Sequence, residues 1–327
     1  YRLRLANERP ETQHTDELTL RVVDHPAGTT VVPDANGAPR VLADLVAPRT
    51  ATALRGADVR AEVSAPDDAF WFGDPVFTID ENDPSSFRDG MELTFPRPAG
   101  DRGLLTVRAQ NTTLAPFVLE RFLELFGDDL AGWYRRVDRD PELQSELKAW
   151  IAREGMLHVS VWDGDGWVLQ GRLPDVGPHL PKSQALELDL TRVIGDEVRV
   201  RLEVPRGLWS LDHVALAMES SASPVVHDLT AASATDAEGR DVGDRLSRTD
   251  DSHVTALPGH TVDLVFDAPS ATEPGIERTV LARTHGFYHI WVEQSGTAQL
   301  DVVDRILREP RYVNRYMLEL FRGTLEY

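Results

Sequence analysis

The chemistry that this chain could carry lies in its acidic, histidine and aromatic side chains. Residues 163–166 read Asp-Gly-Asp-Gly, which matches the start of a calcium-binding loop. A complete loop of that kind needs further acidic ligands and a distal Glu. Here a strand pattern resumes at once, from Trp167 to Leu169. The spacing therefore favours a tight hairpin over a calcium site.

A second acidic stretch, Asp80-Glu81-Asn82-Asp83, offers several oxygen atoms to a hard cation. Sandwich domains that bind sugars often hold a structural calcium ion in such a loop, so that interpretation stays open. Asp, Asn, Pro and Ser are also the residues that turns prefer. We expect an ordinary turn here.

His285 and His289 enclose Gly-Phe-Tyr at a spacing that serves metal binding on a helix. The stretch from Thr279 to Val292 has a strand pattern instead, which would place the two imidazoles on one face about 13 Å apart. The sequence contains no HExxH, GxSxG, P-loop or GxGxxG motif. We therefore expect no catalytic residue, no metal ion and no cofactor.

Two functions stay open as alternatives to a non-enzymatic protein that binds no small ligand. A glycoside hydrolase needs two carboxyl groups roughly 5–10 Å apart, and 54 acidic residues offer many pairs. A carbohydrate-binding sandwich needs exposed aromatic rings beside acidic or amide groups. The seven tryptophans are candidates for such rings, although most lie in strand or helix patterns typical of a core.

The composition of the chain limits the kinds of molecule that it could bind. The formal charge of −20 opposes binding to nucleic acid and to anionic lipid headgroups, and it favours solubility or a basic partner. No apolar run approaches the roughly 20 residues that span a bilayer. The chain has no Cys, which excludes disulfides and thiolate sites but leaves the compartment open.

Alternating apolar residues predict antiparallel strands over most of the chain. Turn residues, including Asn36-Gly37, separate them. The predicted strands include Tyr1–Asn7, Glu17–Asp24, Arg40–Leu42, Asp58–Ser64, Met91–Phe95, Leu104–Ala109, Leu157–Trp162, Trp167–Gly171, Leu186–Leu190, Glu197–Val204, His213–Met218, Val225–Leu229, Thr261–Phe266 and Arg278–Ala282.

One interruption, at about 112–153, changes to helical spacing. Thr112 or Thr113 could cap its first helix and Gly127 end it, and Gly155 closes the last. A sheet that is interrupted by helices and completed afterwards is typical of a sandwich or jelly roll.

The helical insertion carries an aromatic stripe at helical spacing. Such a stripe usually packs on a sheet, and we interpret it as core. Any ring left exposed would make the insertion the best candidate for docking a partner, because it projects from a rigid scaffold. The candidate docking residues are Phe122, Phe126, Trp133, Tyr134 and Trp150.

The patterns predict two domains. Residues 1–222 would form a mainly β, antiparallel, sandwich or jelly-roll-like domain that contains the insertion. Residues 223–327 would form a smaller β-unit with a C-terminal helical tail. The tail patterns are Leu300–Leu307 and Tyr312–Phe321, and we expect them to pack back because Tyr316, Leu320 and Phe321 are costly to expose.

Several segments resemble the C-terminal β-rich region of large, uncharacterised bacterial extracytoplasmic proteins. They are Tyr1–Glu8, Thr15–Leu18, Val22–Pro26, Arg121–Gly127, Trp209–His213 and Gly286–Tyr288. The resemblance implies an exported accessory domain, bacterial and periplasmic or at the cell surface, and it transfers no catalytic residue. The chain opens at Tyr1 with neither an initiator Met nor a signal peptide, so we expect an upstream segment, which could include a membrane anchor.

Together these observations predict a non-enzymatic structural or protein-interaction subunit. We expect a peripheral extracytoplasmic component of a membrane-associated assembly, such as a photosynthetic or respiratory complex. Its partners would be protein subunits of that complex. A carbohydrate-binding module is the first alternative, and a glycoside hydrolase is the second.

Overall fold

A computed structural model describes residues 1–293 and 295–325. The chain is mainly β, with 42% strand and 22% helix, and its sheets are antiparallel. This confirms the predicted fold class of a sandwich-like β-protein with a helical insertion, a smaller β-unit and C-terminal helices.

Eighteen strands are present in the described residues. They are β1 (Arg2–Ala6), β2 (Glu11–Pro26), β3 (Thr30–Pro33), β4 (Pro39–Val46), β5 (Thr50–Ala53), β6 (Trp71–Phe72), β7 (Arg88–Pro96), β8 (Arg102–Asn111), β9 (Leu157–Trp162), β10 (Trp167–Leu173), β11 (Lys182–Asp189), β12 (Glu197–Pro205), β13 (Trp209–Glu219), β14 (Val225–Leu229), β15 (Ser233–Asp236), β16 (Val254–Ala256), β17 (Thr261–Val265) and β18 (Ile276–Ile290).

Six α-helices accompany them in the same part of the chain. They are α1 (Arg60–Val63), α2 (Leu114–Glu124), α3 (Leu130–Arg139), α4 (Pro141–Glu154), α5 (Leu300–Arg308) and α6 (Tyr312–Leu325). Helices α2 to α4 confirm the predicted insertion. Asp140 caps α4 by accepting hydrogen bonds from the amides of Glu142 and Leu143.

The chain divides into two compact units. Unit 1 comprises Tyr1–Val31 and Ser220–Val292, and unit 2 comprises Val32–Glu219 and Glu293–Tyr327. This division differs from the predicted domains 1–222 and 223–327, although one boundary near residue 220 is shared. The reason is long-range pairing, because β2 pairs with β14, β16 and β18, all beyond residue 222.

Unit 1 contains two antiparallel sheets. One has the order β1-β17-β15, and the other has β14 and β16 on one side of β2 and β18 on the other. Alternate residues of β2, including Leu18 and Leu20, are buried with Leu246, Val262 and Phe266 in one core. Every second residue of these strands faces this core, which explains why their apolar residues alternate with polar ones in the sequence.

Unit 2 contains a five-stranded sheet of order β10-β9-β12-β7-β5 and a second sheet of order β11-β8-β13-β4-β3. Strands β9 and β12, which follow the insertion, pair with each other, and β12 pairs with the earlier β7. Strands β11 and β13 both pair with β8. The expectation that later strands rejoin the earlier sheet is therefore confirmed.

The C-terminal helices belong to unit 2, where the sequence had placed them with the smaller unit. Their buried face includes Val303, Ile306 and Leu318. Arg153 of α4 donates to the carbonyl of Leu307, which ties α4 to α5. Tyr316 and Leu320 are half-buried, as expected; the side chain of Phe321 lies outside the described residues.

One predicted strand is wrong. Residues Asp58 to Ser64 contain the short helix α1, because the Asp58 carboxylate accepts a hydrogen bond from the Arg60 amide and starts a helical turn. Val59 and Val63 are both buried. Their spacing of four fits the burial of one helical face.

Candidate functional site

The aromatic stripe of the insertion forms a stack inside unit 2. The ring of Trp133 stacks on Phe126 at 4.3 Å between centroids, and Trp150 stacks on Phe122 at 5.3 Å. Phe122, Phe126 and Trp133 are buried, whereas Tyr134 and Trp150 are half-buried. The three buried rings have no surface for a partner, so only Tyr134 and Trp150 of the five candidates could contact one.

The Asp163 loop is the predicted hairpin between β9 and β10. Its Oδ1 accepts hydrogen bonds from the amides of Asp165 and Gly166, each at 3.0 Å. These amides hold the pKa of Asp163 below its usual range, with Arg192 contributing. The carboxylate thus closes the turn and stabilises it.

The Asp80–Asp83 loop is also a turn. Asp80 accepts from the amide of Asn82, and Asp83 accepts from the hydroxyl and amide of Ser85, which lower the pKa of Asp83. Within residues 1–293 and 295–325, no group of three or more His, Asp or Glu side chains is placed to hold a metal ion.

A different cluster lies on one sheet face of unit 1. Its side chains come from β2, from β18 and the residue that follows it, and from the residue before β16. We call this cluster the aromatic–histidine patch, and it consists of His14, Asp16, His253, His285, Phe287, His289 and Trp291. Four of the ten histidines of the chain are in it.

Strand pairing explains why these side chains meet. In the registers of the sheet, His14 of β2 lies opposite Phe287 of β18 on one side and Thr255 of β16 on the other. Directly opposite residues of antiparallel strands share a face. Because side chains alternate along a strand, His285, Phe287 and His289 then lie on the same face.

A β-bulge places Asp16 in the patch. The register shifts between His285, which faces Glu17, and Gly286, which faces Thr15, so Asp16 has no opposite residue. Gly286 is required at this point because a Cβ there would lie 2.2 Å from the carbonyl oxygen of His14. Bulges often re-aim a side chain in this way.

Asp16 is the buried anchor of the patch, with 1% of its side chain exposed. Its Oδ1 lies 2.6 Å from Nδ1 of His285, and its Oδ2 accepts from the Asp250 amide at 2.9 Å. Burial raises the pKa of Asp16, but the hydrogen bonds from His285 and Asp250 outweigh it and lower the pKa overall. His253 lies 3.9 Å from the same carboxylate.

The rings of the patch surround Phe287. His14 stacks on it at 4.6 Å between centroids, and His253 and His289 lie at 5.2 and 5.4 Å. Burial lowers the pKa of His14, and the neighbouring His289 and His253 lower it further. His14 therefore contributes a neutral ring to this surface at neutral pH.

The patch combines a fixed histidine with exposed aromatic surface. Phe287 and Trp291 are 48% and 52% exposed, whereas the side chain of the adjacent Tyr288, 53% exposed, lies on the opposite face of β18. The Asp16–His285 pair has the geometry that orients a general base. In the described part of the chain, His285 hydrogen-bonds to Asp16 and to no hydroxyl group.

The sequence pattern placed two residues of this patch correctly but assigned them no function. It placed His285 and His289 on one face of a strand, and that strand is β18. It missed His14, Asp16 and His253, because they come from segments more than 20 residues away from β18. The signal that could have pointed to His14 and Asp16 is their spacing of two in a strand pattern, which places both side chains on one face.

Unit 2 carries a second candidate, a cleft of about 280 Å³ between the β9–β10 turn and the segment before β12. Trp162 lines it with Asp196, Glu197 and Arg199, and Ile194, 85% exposed, stands beside it. Arg199 lies over the ring of Trp162 at 5.1 Å. An aromatic ring beside carboxylates and a guanidinium is a polar and apolar mixture typical of ligand clefts.

No helix of the described residues is long and apolar enough to cross a membrane. A scan against protein-family models finds no family that matches this chain, and no curated protein matches it significantly.

Proposed function

We propose that this chain is a non-enzymatic protein-interaction subunit that docks a partner through the aromatic–histidine patch. The observation that carries the proposal is the exposure of Phe287 and Trp291, each about half exposed, on the patch face at the end of β18. Contiguous exposed apolar surface of this kind marks interaction sites in soluble proteins.

The composition of the patch supports a protein partner. Trp and Tyr are enriched among the residues that dominate binding energy at protein interfaces. Burying the exposed half of one such ring contributes roughly 1 kcal/mol. The rings need little ordering on binding, because β18 holds them and Trp291 donates from Nε1 to the hydroxyl of Thr12 at 3.0 Å.

We further propose an extracytoplasmic, peripheral position in a membrane-associated assembly, such as a photosynthetic or respiratory complex. The resemblance to bacterial extracytoplasmic proteins supports it. A charge of −20 also fits a subunit that stays off anionic headgroups and contacts protein. Fractionation of source cells followed by mass spectrometry of the companions tests this part separately.

Site-specific photo-crosslinking tests the docking surface. A photoreactive phenylalanine analogue placed at Phe287 should give a defined crosslinked band in source cells, whereas the same analogue at Leu180 of unit 2, 71% exposed, should not. Adding Trp291→Ala should reduce the crosslink at least tenfold. Equal crosslinking from both positions, or a yield unaffected by Trp291→Ala, would contradict docking at the patch.

A carbohydrate-binding role is the second candidate, favoured by the Trp162 cleft. Sugars are held by an aromatic ring and by hydrogen bonds to carboxylates and guanidinium groups, and Asp196, Glu197 and Arg199 provide these.

A glycan array would identify the sugar. We expect Trp162→Ala to reduce binding at least tenfold. The matched variant Phe72→Ala, which removes a 61% exposed ring elsewhere in unit 2, should leave binding unchanged. An array without signal for the native chain would remove this candidate.

A further inference from the structure

Strand β18 forms a long open edge of unit 1. It pairs with β2 over its whole length, from Ile276 opposite Pro26 to Ile290 opposite Glu11. Within residues 1–293 and 295–325, β2 is its one neighbour. Seven consecutive residues, 282–288, are exposed. The other side of the strand therefore presents its backbone groups to solvent.

Such an edge is unusual because proteins usually protect it. Natural edge strands are short, or they carry Lys, Pro or a bulge that prevents pairing with another chain. Strand β18 has 15 residues and contains neither Lys nor Pro, and the bulge at Asp16 lies on the other strand. An open edge with these properties suits the addition of a partner strand.

We propose that β18 binds an extended segment of a partner protein, which adds to the sheet as a further strand and carries acidic residues at alternate positions. This inference rests on the proposed function, since it names the form of the partner at the same surface. Backbone hydrogen bonds would supply affinity, and the alternate side chains would supply specificity.

The side chains on the outward face of β18 explain why we expect acidic residues in the partner segment. From residue 283 onwards, the outward row of β18 is Arg283, His285, Phe287 and His289, which offers hydrogen-bond donors around one apolar ring. Arg283 is 58% exposed, and its distance to Glu17 is 3.4 Å. Carboxylates on the neighbouring strand would face this row, because cross-strand neighbours on one face interact directly.

A second copy of this chain fits the edge less well. Residue 283 is the midpoint of β18, since (276 + 290)/2 = 283, so antiparallel self-pairing over the whole strand would place Arg283 opposite Arg283. Like charges directly opposite each other destabilise a sheet. A segment of a different protein avoids this cost.

Labelled synthetic peptides test the proposal with the full chain. We expect a nine-residue peptide that alternates Val and Glu to bind in fluorescence anisotropy, and its Val–Lys counterpart to bind at least tenfold more weakly. Arg283→Glu should reverse this preference. Arg4→Glu changes the net charge equally, on the β1-β17-β15 sheet where Arg4 pairs with Asp263, and should leave it unchanged.

Methylation of the peptide backbone tests for strand addition itself. Methyl groups on one set of alternate amide nitrogens should abolish binding, and those on the other set should be tolerated, because one edge of the peptide faces β18. Tolerance of both sets, or no binding of the Val–Glu peptide at millimolar concentration, would overturn the inference. A dimer of the chain that the peptide dissociates would overturn the choice of partner.

The two proposals can fail separately. A crosslink at Phe287 that depends on Trp291, together with no peptide binding, would leave the docking proposal in place and remove strand addition. Peptide binding that is indifferent to Arg283→Glu would remove the acidic preference.

Discussion

Replacing Gly90 with Ala is expected to destabilise unit 2 by about 4 kcal/mol or more, which is among the largest effects of single substitutions. A Cβ at position 90 would lie 1.9 Å from the carbonyl oxygen of Leu202 and 2.9 Å from its carbonyl carbon. Both atoms belong to the backbone of β12, which pairs with β7 at this point. The φ of +147° also disfavours a side chain.

The clash cannot relax through a side-chain rotation. Gly90 donates its amide hydrogen to Asp89 and accepts at its carbonyl from the Leu54 amide, and β12 is fixed on its other side by β9. Moving either strand would break these bonds and open the core around Met91 and Leu202, both fully buried. We therefore expect the variant to lose the paired sheet at β7 and β12.

Urea unfolding followed by tryptophan fluorescence measures this effect, because six of the seven tryptophans are in unit 2. Gly166→Ala is the matched control, since a Cβ there meets no atom within 4 Å. It should change the free energy of unfolding by less than about 1 kcal/mol. A Gly90→Ala protein as stable as the control would show that β7 and β12 are not paired as described.

Asp212→Ala is expected to cost about 3–5 kcal/mol, the usual effect of removing one partner of a buried ion pair. The Asp212 side chain is fully buried on β13, where it accepts from the guanidinium of Arg108 and, at 2.7 Å, from the amide of Asp68. Asp68 has a φ of +65°, and this hydrogen bond fixes its strained backbone.

Arg108 offers an internal comparison, because its second nitrogen bonds to the carboxylate of Asp68 at 2.8 Å. That carboxylate is 69% exposed, and exposed ion pairs contribute about 0–1 kcal/mol. Asp68→Asn, which tolerates the same backbone conformation, should therefore have a small effect in the same urea experiment. Equal losses from Asp212→Ala and Asp68→Asn would contradict the buried pair.

Local patterns in the sequence predicted most elements. Helices α2 to α4 and thirteen of the eighteen described strands were recognisable because one face of each is buried, which imposes a period of 3.6 or 2 on the apolar residues. The short strands β3, β5, β6, β15 and β16, of two to four residues each, were not predicted. Asp58–Ser64 was predicted as a strand but contains α1. Four residues are too few to distinguish these periods, and the hydrogen bond from Asp58 that starts α1 leaves no apolar signal.

Long-range pairing could not be predicted in the same way. The apolar face of β2 shows that it needs partners, but nothing in its local pattern selects β14, β16 and β18. The division into units and the aromatic–histidine patch both depend on those partners. The interpretation of the aromatic stripe as core needed no long-range partner, because Phe122, Phe126 and Trp133 contact one another within the insertion and bury their rings.

The pairing of β2 with β18 has a consequence for synthesis of the chain. Pro26 of β2 cannot pair with Ile276 of β18 until Ile276 has been synthesised, and 276 − 26 = 250 residues separate the two. At translation rates of about 5–20 residues per second, that delay is about 12–50 s. The sheets of unit 2, which need only residues up to Glu219, emerge completely within it. The nascent chain therefore carries a β2 without β18 throughout that interval, and without any partner strand until β14, which begins at Val225, is made. That is the period when a chaperone would have a strand to protect.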